Sequence, residues 1–127
     1  MEVPVAKKIL VIDDSLAVRR QVNAALSAAG FQVLLAENGV QGTELLRQGG
    51  IALVICDVNM PEMGGLEFLE AARQPDLPAG PPIVMLTSEG RADLIDRAKK
   101  AGAKGWLVKP VKADQIVAVA RKLTGAV

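Results

Sequence analysis

Four short apolar runs in this chain each lead into a residue that can do chemistry. Asp13 and Asp14 follow the run 8–12, Asp57 follows 51–56, Thr87 and Ser88 follow 82–86, and Lys109 with Pro110 follows 105–108. If the runs lie side by side, three carboxylates, a hydroxyl and an ammonium share one edge. Like charges that close repel strongly without a counter-ion, and a hard divalent cation is the natural remedy. Oxygen ligands suit Mg²⁺, which keeps several waters and takes one or two protein carboxylates together with phosphate oxygens. Each residue singly has a plainer role, since Asp14 or Ser15 would cap a following helix. A lysine ending one run, a threonine another and an aspartate a third share no such role.

A fifth run, 31–36, completes a set spaced at roughly 20 to 30 residues, with an amphipathic segment after each. Short runs rich in Val, Ile and Leu, without strict alternation, read as strands buried on both faces. Ser15 is the predicted N-cap of a helix with Val18, Val22, Ala25, Leu26 and Ala29 inward, Arg19, Arg20 and Asn23 off that stripe, and Gly30 as its stop. Asn38 caps the second, with Gln41 in the capping-box position, Leu45 and Leu46 inward, and Gly49-Gly50 at its end. Further helices are predicted over 65–73, 91–101 and 113–123, the last with Ile116, Val119, Ala120 and Leu123 inward. The proline-bearing stretch 74–82 reads as a stiff surface connection. Strand–helix alternation with short connections predicts an open, doubly wound α/β domain with a parallel sheet. Such sheets bind ligands beyond the carboxyl ends of their strands, which is where the candidate residues stand.

The 127 residues fit one domain, 1–127, and 50% hydrophobic with 23% charged residues is the balance of a soluble globule. The apolar run 51–56 falls far short of the roughly 20 residues of a membrane helix, and no basic segment leads into an apolar signal core, so an intracellular, cytoplasmic protein without membrane insertion is expected. One cysteine and no histidine exclude an internal disulfide, a zinc-type cluster and imidazole-dependent hydrolysis. The net charge of +1 is too small for general nucleic-acid affinity. It is unevenly spread: 1–88 carries six basic and ten acidic groups, whereas 89–127 carries nine basic and four acidic.

The segments Val11-Ile12-Asp13-Asp14-Ser15, Asp57-Val58-Asn59-Met60-Pro61-Glu62-Met63-Gly64-Gly65, Leu86-Thr87-Ser88 and Ala101 through Lys109-Pro110 together resemble the receiver domain of two-component response regulators, most of all the stand-alone CheY-like chemotaxis regulators. The likeness runs from Lys7 to Leu123. It implies a flavodoxin-like sheet of order 2-1-3-4-5 with five helices, an order that spacing does not supply.

By that resemblance Asp57 accepts a phosphoryl group from a histidine kinase. Asp14, Asp57 and the backbone carbonyl of Asn59 ligate Mg²⁺, Asp13 acts through water, and Lys109 and Thr87 bind phosphoryl oxygens. Pro110 is a cis-proline candidate. Thr87 and Trp106 form the switch pair, Trp106 standing where the family usually has Tyr or Phe, and Asn59 and Glu89 modulate hydrolysis. Gly64-Gly65 replaces the usual Asp-Gly, and Val111 a common Phe. The implied protein is a monomer or weak dimer that catalyses no reaction on other molecules beyond its own phosphorylation and dephosphorylation. Its output is a downstream protein bound through the fourth helix, fifth strand and fifth helix, in chemotaxis or in a phosphorelay or phosphate-sink role. The rival class is an aspartyl-nucleophile phosphohydrolase of similar topology. That class carries Asp-x-Asp after the first strand, where this chain has adjacent Asp13-Asp14. A flavodoxin-like nucleotide carrier would need a Ser/Thr/Gly phosphate cradle in that turn, which is missing from the sequence.

Overall fold

The computed structural model describes residues 6–58, 68, 80–87 and 92–125. Five strands form one parallel sheet: β1 (Lys8–Ile12), β2 (Gln32–Ala36), β3 (Ile51–Asp57), β4 (Ile83–Thr87) and β5 (Gly105–Val108), in the order β2-β1-β3-β4-β5. Four helices lie among the described residues: α1 (Leu16–Ala28), α2 (Gly39–Arg47), α3 (Ala92–Lys100) and α4 (Ala113–Thr124). The remaining predicted helix, 65–73, lies outside the described residues except for Phe68, which is helical and buried. Most of the proline-bearing stretch 74–82 is outside them too.

Both faces of the sheet are covered, as strands without polar alternation require. On one face Ile9, Val11, Leu53, Ile55, Val84 and Leu86 pack against Val22 and Leu26 of α1 and Ile116 and Ala120 of α4. On the other, Leu10, Ile12, Val54, Cys56, Ile83 and Met85 meet Phe68, Ala98 of α3 and the half-buried Leu45 and Leu46 of α2. Alternate residues of each strand thus feed opposite cores, the period-two geometry of a pleated strand.

The helix starts carry the caps their sequences imply. The Ser15 hydroxyl accepts from the Val18 N–H at 3.3 Å, and Asn38 Oδ1 accepts from the Gln41 N–H at 2.9 Å. Gln41 Oε1 in turn accepts from the Glu37 N–H at 2.9 Å, one residue earlier than a standard capping box. Gly30, at φ 94, ends α1 in a conformation that disfavours side chains.

Gly42 is constrained by space instead. A methyl group there would overlap the Ile12 side chain and meet Phe68 at 3.5 Å, so the missing Cβ lets α2 lie close over β1. Ile12 is wholly buried and has little room to yield. Overpacking costs about 1–3 kcal/mol, against about 1 kcal/mol of helix propensity gained from Gly to Ala. Gly42→Ala is therefore expected to lower stability by up to about 2 kcal/mol, read as a lower denaturant midpoint at unchanged slope.

Candidate phosphoryl-acceptor site

The register brings the candidate residues to one edge. Ile12 pairs with Cys56, and Asp57 with Leu86, so Asp13 and Asp57 leave neighbouring strands at the same level. Thr87 ends β4 opposite Val108, and the Lys109 N–H donates to the Thr87 carbonyl at 2.6 Å, carrying β5's direction one residue further. The Lys109–Pro110 peptide bond is cis.

Carboxylate oxygens of Asp13, Asp14 and Asp57 all lie within 4.8 Å of one another. Asp13 is 0% and Asp57 4% exposed, whereas Asp14 faces solvent. Lys109 Nζ sits 2.9 Å from Asp13 Oδ2 and 3.3 Å from Asp57 Oδ1, linking the two buried carboxylates. The contact to Asp13 is an ion pair and not an aligned hydrogen bond, because that buried oxygen has no hydrogen-bond partner. Burial by itself lowers the Lys109 pKa. The contact with Asp13 and the charges of Asp13 and Asp57 outweigh that, and the net displacement is upward from the ordinary lysine value.

This donor set fits Mg²⁺. It consists of hard carboxylate oxygens, one of them buried and lacking a hydrogen bond, with one carboxylate open to water. Lys109 alone does not balance three neighbouring negative charges.

Cys56, one residue before Asp57, is buried among apolar side chains. Burial pushes its thiol pKa well up and the charges of Asp57 and Asp13 add to the rise, so it stays a protonated, packing thiol at neutral pH.

Thr87 is fully buried at the end of β4. Trp106 pairs with Met85 two residues earlier and packs half-buried against the α2/α3-side core; its indole N–H is buried and makes no hydrogen bond. Met85 and Thr87 share a face of β4, the face on which Trp106 packs against the core that holds Met85. Asn59 and Glu89 lie outside the described residues.

One residue departs from the sequence expectation. Arg19, placed off the apolar stripe of α1, is only 9% exposed, and its Nη1 donates to the Asp13 carbonyl at 2.8 Å. The helical period puts it one position past Val18, beside the stripe, and a long side chain there reaches back to the end of β1. No local signal marks this contact, because its acceptor is a backbone oxygen.

The Response regulator receiver domain family matches residues 9–121. The chain belongs to this family. It is 36% identical over 118 residues to the chemotaxis protein CheY of Bacillus subtilis, covering 92% of this chain and 97% of that protein. A CheY homolog of Campylobacter jejuni is 40% identical over 105 residues, 81% of each chain. Among solved structures, the Vibrio cholerae chemotaxis protein CheY4 superposes with a TM-score of 0.87 at 34% identity, covering 94% of this chain and 99% of that one. CheY-like receivers are signalling switches, and the acidic pocket of this one is compatible with Mg²⁺. Among the described residues, no helix of this receiver is long and apolar enough to cross a membrane.

Proposed function

We propose that this receiver is a cytoplasmic phospho-switch in which Asp57 accepts a phosphoryl group from a phosphohistidine of a partner kinase. The observation that carries the reading is the convergence of Asp13, Asp14 and Asp57, with Lys109 pairing Asp13 and Asp57, in a chain of this family. In the transfer, an Asp57 carboxylate oxygen bonds to phosphorus as the bond from phosphorus to the donor imidazole nitrogen breaks, and the imidazole leaves.

Asp14 and Asp57, with the Asn59 carbonyl, would hold Mg²⁺, and Asp13 would act through bound water. The cation, when bound, offsets the negative charge of the carboxylates and of the incoming phosphoryl group. Lys109 exchanges part of its pairing with Asp57 for a phosphoryl oxygen, and the Thr87 hydroxyl donates to another. Such transfer needs positioning and charge compensation more than covalent help, which suits a site lacking an imidazole base. Asn59 and Glu89 orient or exclude the water that ends the phosphorylated state.

The output is binding, with no released product. Thr87 moves toward the phosphoryl group, Trp106 follows, and the surface of α3, β5 and α4 changes its affinity for a downstream protein, as suits chemotaxis or a phosphorelay. Supporting this, Arg97, Lys99, Lys100, Lys104, Lys112, Arg121 and Lys122 of the basic third are all exposed, and Val108 is 48% exposed beside them. We assign no nucleic-acid partner, and a monomer or weak dimer.

Acetyl phosphate with Mg²⁺, followed by intact mass, tests the reading. The expected result is a gain of one phosphoryl group per chain and a higher melting midpoint with millimolar Mg²⁺ than without. Turnover of many equivalents of a phosphate ester would instead identify a hydrolase and overturn it.

A further inference from the structure

We propose that Arg19 is a positioning residue for the acidic pocket: its guanidinium holds the Asp13 carbonyl, and through it the turn that aims the Asp13 and Asp14 carboxylates. This rests on the cation-binding reading above and adds to it a residue from the second turn of α1.

At Asp13 the chain leaves the sheet. The Asp13 N–H still donates to the Ala36 carbonyl at 3.1 Å, but β1's pairing with β3 ends at Ile12, and the chain must turn through Asp14 and Ser15 to begin α1. A buried carbonyl at such a point needs a donor, and Arg19 Nη1 supplies it at 2.8 Å. The two carboxylate oxygens of Asp13 then take different tasks. Oδ1 accepts from the Ser15 N–H at 2.9 Å, and Oδ2 is left facing Lys109 at 2.9 Å. Carbonyl and Oδ1 are thus both tied down, and Oδ2 has one direction available.

Burying most of a guanidinium beside an apolar helix stripe is costly unless the group is well bonded. Its second contact is slight: Nη2 lies 3.8 Å from Oε1 of the exposed Glu37 side chain. With its carboxylate partner in solvent and at that distance this ion pair contributes little, so the Asp13 carbonyl is the contact that accounts for the burial.

The sign of the effect separates positioning from charge. Arg19 is a cation near the pocket, and by Coulomb's law its removal would strengthen binding of a second cation. If its role is to hold the turn, removal weakens binding despite the lost positive charge. Losing a partner that orients metal ligands costs typically about 10–100-fold in affinity.

The experiment measures Mn²⁺ binding to the whole chain from the electron paramagnetic resonance signal of free Mn²⁺, with melting of each metal-free variant in parallel. Wild type should bind, Arg19→Met should bind about tenfold or more weakly, and Arg19→Lys, which keeps a donor and the charge, should fall between. Glu37→Gln should bind as wild type does. If Arg19→Met folds and binds Mn²⁺ as tightly as wild type or more tightly, the proposal is wrong. Should Arg19→Met not fold, Arg19→Lys decides: several-fold weaker binding supports positioning, and unchanged binding overturns it. A wild-type chain that binds no Mn²⁺ overturns the cation-binding reading itself, a result distinct from either variant outcome.

Discussion

Asp57→Asn is expected to take up no phosphoryl group from acetyl phosphate under conditions in which the parent chain takes one. An amide nearly matches the carboxylate in shape but lacks its anionic oxygen nucleophile, and neither neighbouring aspartate substitutes for it. Asp13 has one carboxylate oxygen committed to the Ser15 N–H and the other against Lys109, and Asp14 stands at the solvent-facing side of the cluster. The fold should survive, because two electrostatic effects of opposite sign are lost together. Asp57→Asn removes repulsion from Asp13 and Asp14, each worth up to about 4 kcal/mol at close range in a partly polarisable site, and also removes the attraction to Lys109. The melting midpoint should therefore move little. Stoichiometric labelling of a folded Asp57→Asn chain, read by intact mass, would refute the assignment of the acceptor.

Lys109→Met should have the second largest effect, and on two separate measurements. It leaves Asp13, fully buried, and Asp57, nearly so, without the cation that now pairs with both. Breaking a buried pair by removing one partner typically costs about 3–5 kcal/mol, so the metal-free variant should melt well below the parent. Millimolar Mg²⁺ should restore part of the loss by supplying positive charge to the same carboxylates. The rate of phosphorylation should fall about 100- to 1000-fold, the usual effect of deleting one preorganised donor to a charge that develops in the transition state. Lys109→Arg should retain more stability than activity, because a planar fork does not deliver its charge to the same point. A Lys109→Met chain that melts and labels as the parent does would remove Lys109 from the site.

The pH dependence follows from the same contacts. A lysine whose folded pKa is raised contributes stability that is fully present below its unfolded pKa, about 10.4. That contribution is lost as pH rises from near the unfolded value through the folded one, so this ion pair should add no slope to stability between about pH 7 and 9.

Much of this architecture is legible in the sequence, and the reasons are local. The five runs from Lys8 to Val108 lack polar alternation and are separated by segments that read as amphipathic helices, which demands a parallel sheet covered on both faces; both cores are there. Ser15 and Asn38 cap where their spacing says, because a cap involves only the next three residues. That Asp13, Asp14, Asp57, Thr87 and Lys109 stand at strand ends is likewise a matter of counting along the chain. Nothing in the counting says which strands are neighbours: the order with β1 beside β3 came from the resemblance, and the pairing of Ile12 with Cys56 realises it.

Other features exist only in the folded molecule. That one ammonium bridges Asp13 and Asp57 depends on β5 ending two strands away from β3, and on Lys109 reaching back across β4. The close approach of α2 at Gly42 is set by the Ile12 side chain on another element, which no helical pattern reports. Arg19 reads from sequence as a solvated charge beside an apolar stripe, yet it is buried by a bond to a backbone carbonyl, a group every residue carries. By itself, then, the sequence determined which residues stand at the ends of which strands and what chemistry their types allow, because periodicity, caps and stops act over a few residues. Only the tertiary structure decided which charges meet and which polar atoms are left over, as at Asp13 Oδ2 and the Trp106 N–H, because those outcomes depend on distances between atoms far apart in the chain.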